Sequence, residues 1–291
     1  MTNIDLPGEG LGLTHQGHFT RLKWHQLRRK MKDPLFSAET MQLGFQLGAS
    51  MELDLRVRKD GGFVVLHDAD LVGETSGHGK IVDQDVSDLT NITMADSNRK
   101  VLTSEVLAGI LHIGHPDALL QFDMQDSLAE IGDRGIDHLA RVFGETAPTS
   151  FIISGACLDL IAMARDKLPE WRRGIDPTEK LVDKFRQAGL AAVERDLLLD
   201  LRGPTDPDTV YLAWQLVLAA HDGGLDLIGL CKAEGRKVDA WTYNLKAPAI
   251  GFSDQELKDF STLMSLKPDQ ITTDEALATE TAWLQISLGL P

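Results

Sequence analysis

The chain has 291 residues, 43% of them hydrophobic and 25% charged, with a formal net charge of −15. That balance is ordinary for a globular protein and argues against a disordered chain or a membrane span. So strong an acidic excess also argues against a broad nucleic-acid or anionic-membrane surface, because such partners need a basic footprint.

The opening MTNIDLPGEG is acidic and polar without an apolar stretch, so no signal peptide is read there and a cytoplasmic location is expected. Cys157 and Cys231 are the two cysteines. Far apart in sequence, they give neither a disulfide framework nor a metal-ligand spacing and are read as core or surface thiols. One block runs against the overall charge: residues 15–32 contain Arg21, Lys23, Arg28, Arg29, Lys30 and Lys32 and no acid. It reads either as a solvated basic face or as a functional one.

In chain order, candidate strands are LGLTH (11–15), MELDLRV (51–57), FVVLH (63–67), ALLQFDM (118–124), SFIIS (150–154), AAVE (191–194), VDAWTY (238–243) and DQITT (269–273). Helical patterns fall at 38–47, 127–143, 158–167, 178–188, 206–220, 253–266 and 275–288, the sixth opened by Ser253 with Glu256 three residues on, a capping-box pattern. Strands alternating with helices predict an α/β fold, a TIM-type (β/α)8 barrel. The Gly-, Ser-, Thr- and Asp-rich stretch at about 68–105 is no βα unit. It is read as an insertion in a single domain spanning 1–291.

In such a barrel, chemistry gathers at the C-terminal ends of the strands. Glu52 and Asp54, one residue apart on a strand, point the same way. Asp123 sits near the end of another strand, and His15 and His67 each end one, so all five are expected at one mouth. Three buried carboxylates together are tolerable mainly when a cation neutralises them, which predicts an all-oxygen site for one hard divalent ion, Mg²⁺ or Ca²⁺. The competing reading has these acids capping helices or pairing with Arg56 and Arg58.

These residues resemble the glycerophosphodiester phosphodiesterase family. Its opening His-Arg-Gly is similar to His15-Gln16-Gly17, and its Gly-Ala and Glu-x-Asp strand to Gly48-Ala49 and Glu52-Leu53-Asp54. Its Lys-Asp-Gly and Val-x-His-Asp units stand as Lys59-Asp60-Gly61 and Val65-Leu66-His67-Asp68. Looser matches are Glu74-Thr75-Ser76-Gly77, Asp123-Met124-Gln125, Trp241-Thr242-Tyr243-Asn244 and Ile271-Thr272-Thr273-Asp274. The resemblance implies a metal-dependent phosphodiesterase on a TIM-type barrel acting on a small-molecule phosphodiester. Glu52, Asp54 and Asp123 would hold the metal, and His15 and His67 would serve as general acid and base.

Three departures stand out. The motif Arg is Gln16, the Lys after the third carboxylate is Gln125, and Pro-Glu-Asn-Thr is replaced by Pro34-Leu35-Phe36-Ser37. Gln16, Gln125 and an apolar wall at Trp241 are expected on the substrate side, with His18, Arg21 or Lys23 supplying the lost positive charge. The altered motif leaves other readings open: a sugar phosphodiester as substrate, a phospholipase D-like activity resembling sphingomyelinase D, or a non-catalytic binder of a phosphorylated ligand. No nucleic-acid or membrane partner is expected, and the sequence does not give an oligomeric state.

Overall fold

The computed structural model describes residues 8–112, 114–144 and 150–288. Its strands are β1 (Gly12–His15), β2 (His18–Trp24), β3 (Ser50–Val57), β4 (Phe63–Val65), β5 (Leu119–Met124), β6 (Phe151–Ser154), β7 (Arg172–Ile175), β8 (Thr209–Ala213), β9 (Lys237–Trp241) and β10 (Gln270–Thr273). Parallel pairing runs β2, β3, β5, β6, β7, β8, β9, β10 and back to β2, a closed barrel of eight staves. Helices lie between the staves, and the expected (β/α)8 class is observed. Among the described residues no helix is long and apolar enough to cross a membrane.

Three of the expected staves are not staves. The run at 11–15 becomes β1, an antiparallel hairpin arm of β2 in which His15 faces His18 across a two-residue turn. Gln16 (φ 47°) and Gly17 (φ 75°) both adopt the left-handed backbone that a tight hairpin requires. The run at 63–67 likewise yields β4, antiparallel to β3. The AAVE segment lies inside the helix Leu190–Leu201, and the expected helix at 206–220 is β8 running directly into the helix Trp214–Asp222.

Local chemistry explains the regular parts. The helix Ala38–Leu47 starts where the Ser37 side chain accepts from the Thr40 amide at 3.2 Å and stops at Gly48 (φ 77°), so the chain re-enters the barrel at β3 within two residues. Along β3 and β5 alternation sends Leu53, Leu55 and Phe122 outward into the apolar layer under the helices, where Phe122 meets Phe143, Phe151 and Trp171. The intervening residues, Glu52, Asp54, Gln121 and Asp123, face the barrel axis. After β4 the chain makes its long excursion, pinned by isolated bridges such as Asp70 to Lys80 and Thr75 to Met94.

Candidate active site at the C-terminal mouth

Register brings the acids together. Asp54 pairs with Asp123 across β3 and β5, and Glu52 with Gln121. Oxygens of Glu52, Asp54 and Asp123 all lie within 4.8 Å of one another. Glu52 and Asp54 are only 4% and 2% exposed. Their direct hydrogen-bond donors are neutral. The Gln26 amide N–H donates to Glu52 Oε2 at 2.8 Å, and the Gln125 side-chain amide donates to both Asp54 Oδ1 (2.7 Å) and Asp123 Oδ2 (2.6 Å). Ser154 Oγ donates to Asp123 Oδ1 at 2.8 Å.

Neutral donors leave the repulsion in place. Burial, then the neighbouring Asp54 and Asp123, push the Glu52 pKa well above the carboxylate range. Burial and Asp123 push Asp54 up to about 6. A set of carboxylate oxygens with unrelieved mutual repulsion fits a hard divalent cation such as Mg²⁺ or Ca²⁺, which takes oxygen ligands and lowers the cost of keeping all three ionised.

Two imidazoles line the same cleft, which has a volume of ≈ 410 Å³. His25 follows β2 directly. Its Nδ1 lies 2.9 Å from Asp274 Oδ1, and because a carboxylate only accepts, this nitrogen carries the proton. Its Nε2 lies 4.0 Å from Glu52 Oε2. The next residues, Gln26 (φ 51°) and Leu27 (φ 57°), are left-handed, a costly conformation for side chains of this size, and the turn they make aims the Gln26 N–H at Glu52. His67 stands half exposed at the rim, with Nδ1 3.0 Å from Asp68 Oδ1. Burial pulls its pKa down, but the Asp68 hydrogen bond and the charges of Asp54, Glu74 and Asp68 outweigh it and leave the value raised.

Of the residues expected from sequence, the structure brings Glu52, Asp54, Asp123, His67, Gln125, Trp241 and Lys23 to this cleft. It does not bring His15, Gln16, His18 or Arg21. Because the hairpin reverses the chain, the end of β1 points to the opposite, N-terminal mouth. There His15 packs edge-on against Trp283 (ring centroids 5.5 Å apart), Gln16 forms the turn, His18 Nε2 sits 2.9 Å from the Pro268 carbonyl, and Arg21 donates to the Gly48 carbonyl at 2.6 Å. Lys23 lies deep in the barrel, its Nζ 2.8 Å from Asp239 Oδ2, 4.3 Å from the centre of the Tyr211 ring and bonded to Gln121.

Residues that sequence reasoning missed are His25, Gln26, Asp176 and Glu179, while Asp274 ends a loose motif match and was given no role in the site. Asp176, just beyond β7, is pushed up to about 7 chiefly by burial. A signal for His25 was present: the chain contains a second His-Gln pair, His25-Gln26, at the end of a run in which Thr20, Leu22 and Trp24 alternate as a buried strand does.

Residues 36–112 match the model of the Glycerophosphoryl diester phosphodiesterase family. The match covers a segment of the chain, about a quarter of its 291 residues. Members of the family are phosphoric diester hydrolases, and the resemblance carried by the motifs is borne out. The matched stretch contains Glu52, Asp54 and His67, while His25 and Asp123 lie outside it. No curated protein sequence matches the chain.

Solved structures of glycerophosphoryl diester phosphodiesterases share the fold. An Oleispira antarctica phosphodiesterase in complex with the product sn-glycerol-3-phosphate is 18% identical, with 90% of this chain and 95% of that one covered and a TM-score of 0.62. A Thermotoga maritima glycerophosphodiester phosphodiesterase is 18% identical over 95% of this chain and 100% of that one, TM-score 0.61. A putative glycerophosphoryl diester phosphodiesterase from Silicibacter pomeroyi is 14% identical over 95% and 96%, TM-score 0.68.

Proposed function

We propose that this chain hydrolyses a small phosphodiester to an alcohol and a phosphomonoester at the C-terminal mouth of its barrel. Glu52, Asp54 and Asp123 would hold one divalent cation, Mg²⁺ or Ca²⁺, with His25 and His67 on either side of the phosphate. The observation that carries this reading is the meeting of three carboxylates within 4.8 Å in a cleft that two imidazoles also line. The cation would supply charge withdrawal from a phosphate oxygen. The rest falls to side chains.

Asp274 holds the Nδ1–H of His25, which leaves Nε2 as the lone-pair nitrogen facing the cleft. That is the arrangement of an imidazole base steadied by a carboxylate. His25 Nε2 takes the proton of the attacking hydroxyl as its oxygen bonds to phosphorus. His67, whose raised pKa keeps it protonated further toward neutrality, gives a proton to the departing alcohol oxygen as the other P–O bond breaks. Gln125 holds Asp54 and Asp123 side by side, and Trp241 walls the side where the alcohol would lie. Lys23, on the floor of the cleft, is paired with Asp239 and offsets the charge of Glu52 only in small part.

The Oleispira protein was solved with sn-glycerol-3-phosphate, which makes a glycerophosphodiester the first substrate to try. The test is hydrolysis of glycerophosphocholine and of bis(p-nitrophenyl) phosphate with Mg²⁺, Ca²⁺ or chelator. Cation-dependent turnover that drops about 10²–10⁴-fold in His67→Ala supports the proposal; turnover indifferent to chelator counts against it. One observation favours a second reading, a phosphate-ligand binder without turnover: amides, not cations, contact the carboxylates from Gln26 and Gln125. Cation-dependent ligand binding with no product release would select it.

A further inference from the structure

The inward faces of the staves change charge along the barrel axis. Alternation along β2 places Arg21, Lys23 and His25 at three successive heights, and only the last two line the acidic cleft. Arg172 begins β7 and Lys237 begins β9, both at the N-terminal mouth. There a second cavity of ≈ 490 Å³ is lined by Arg21, Arg172, Arg236 and Lys237 around an apolar floor of Leu119 and Ile152. Tyr211 packs on that floor from the other side and lines the first cleft, so these three side chains stand between the two cavities.

The four cations share this cavity with two acids, Asp208 and Asp269, which leaves positive charge in excess there in a chain of net charge −15. Asp208 accepts from the Arg173 amide and Asp269 from the Val238 amide, each at 2.9 Å. Arg236 is paired with Asp206 at 2.9 Å. Among the described residues, Arg172 and Lys237 make no ion pair and no side-chain hydrogen bond, and the Arg21 guanidinium donates to a single carbonyl, Gly48. Burial lowers the Arg21 pKa; exposed Asp117 opposes this and Arg172 adds to it.

From this geometry we infer that the N-terminal mouth binds a small phosphorylated organic anion, with its phosphate between Arg21 and Arg172, Lys237 at the rim, and its organic part on Leu119, Ile152 and Phe19. Two guanidinium forks that repel one another are matched by one oxyanion of charge near −2 with several acceptor oxygens. A Phe19 ring that is 56% exposed is apolar surface that inorganic phosphate alone would leave wet. The site is independent of the chemistry proposed at the opposite mouth.

Calorimetric titration of the full chain in EDTA at low ionic strength, with phenyl phosphate and separately with inorganic phosphate, tests the inference. One phenyl phosphate should bind per chain, about tenfold or more tighter than inorganic phosphate, and Arg172→Gln should weaken it about tenfold, the loss expected for a charge-assisted contact. Lys237→Gln, at an exposed position that does not threaten folding, should weaken it about threefold. The double variant Glu52→Gln, Asp54→Asn at the other mouth should bind as the wild type does. The inference is overturned if the wild type takes up no phenyl phosphate, if inorganic phosphate binds equally well, if Arg172→Gln and Lys237→Gln titrate like the wild type, or if the double variant loses binding.

Discussion

His25 and Asp274 meet across two adjacent staves, imidazole Nδ1 to carboxylate Oδ1 at 2.9 Å, at the point where β2 and β10 both open onto the C-terminal mouth. The carboxylate is itself fixed, by Arg28 on the same oxygen at 2.5 Å and by the Asn244 amide on the other at 2.6 Å. Burial would raise the Asp274 pKa, but His25, Arg28 and Asn244 together hold it below its ordinary value. The histidine is thereby held in one orientation and one tautomer, with Nε2 toward the three acids.

Asp274→Asn should therefore remove part of the ~10²–10⁴-fold that a positioned acid or base contributes, lowering kcat with little change in KM. His25→Ala should remove most of it, and His15→Ala, at the far mouth, should leave kcat within about twofold of wild type, as a surface change does. Steady-state kinetics on the three variants checks all three outcomes. Loss of activity in His15→Ala with retention in His25→Ala would reverse the assignment.

The buried Lys23–Asp239 pair predicts a stability effect with a specific rescue. Lys23→Met strands Asp239, which is fully buried, and should cost about 3–5 kcal/mol of unfolding free energy. Removing the acid as well, in Lys23→Met, Asp239→Leu, should recover most of that loss. Denaturant melts of the two variants measure it; a double variant no more stable than the single one would contradict the pairing.

The strained acids predict a pH-dependent response to metal. An acid whose pKa is raised by folding binds its proton more readily in the native state, so the native state is favoured at low pH and loses that advantage as pH climbs from the unfolded value to the raised one. For Asp54 this window runs from 3.8 to about 6, and for Asp176 from 3.8 to about 7. A divalent cation on the carboxylates offsets that loss, so the rise in Tm on adding Mg²⁺ or Ca²⁺ to chelated protein should be larger at about pH 7.5 than at about pH 5. An equal rise at both would show that the acids are not the binding site.

What the sequence revealed, and what it hid, follows from where each residue's partners lie. Glu52, Asp54 and His67 were legible because one contiguous segment carries them and alternation on a single strand fixes their side. Asp123 was legible because an apolar stave precedes it. His25 was hidden by a near-duplicate ten positions earlier, His15-Gln16, whose following Gly17 fits a motif but serves a hairpin turn. The stave β2 itself was hidden because its inward positions are Arg21 and Lys23, which look solvated until the barrel closes around them. Short runs deceived in both directions: AAVE is apolar enough for a strand yet continues a helix, and TVYLA enters a helix with no polar loop to mark its end. The partnership of His25 with Asp274 spans most of the chain and depends on barrel closure, which no local pattern encodes.

The most direct test of the account is the position of a bound divalent ion in crystals grown with Mn²⁺ or Ca²⁺, located by anomalous difference density. One strong peak per chain is expected, with oxygens of Glu52, Asp54 and Asp123 at about 2.0–2.6 Å from it. A fully occupied ion elsewhere in the chain, with these three carboxylates left to the Gln125 and Gln26 amides, would contradict it.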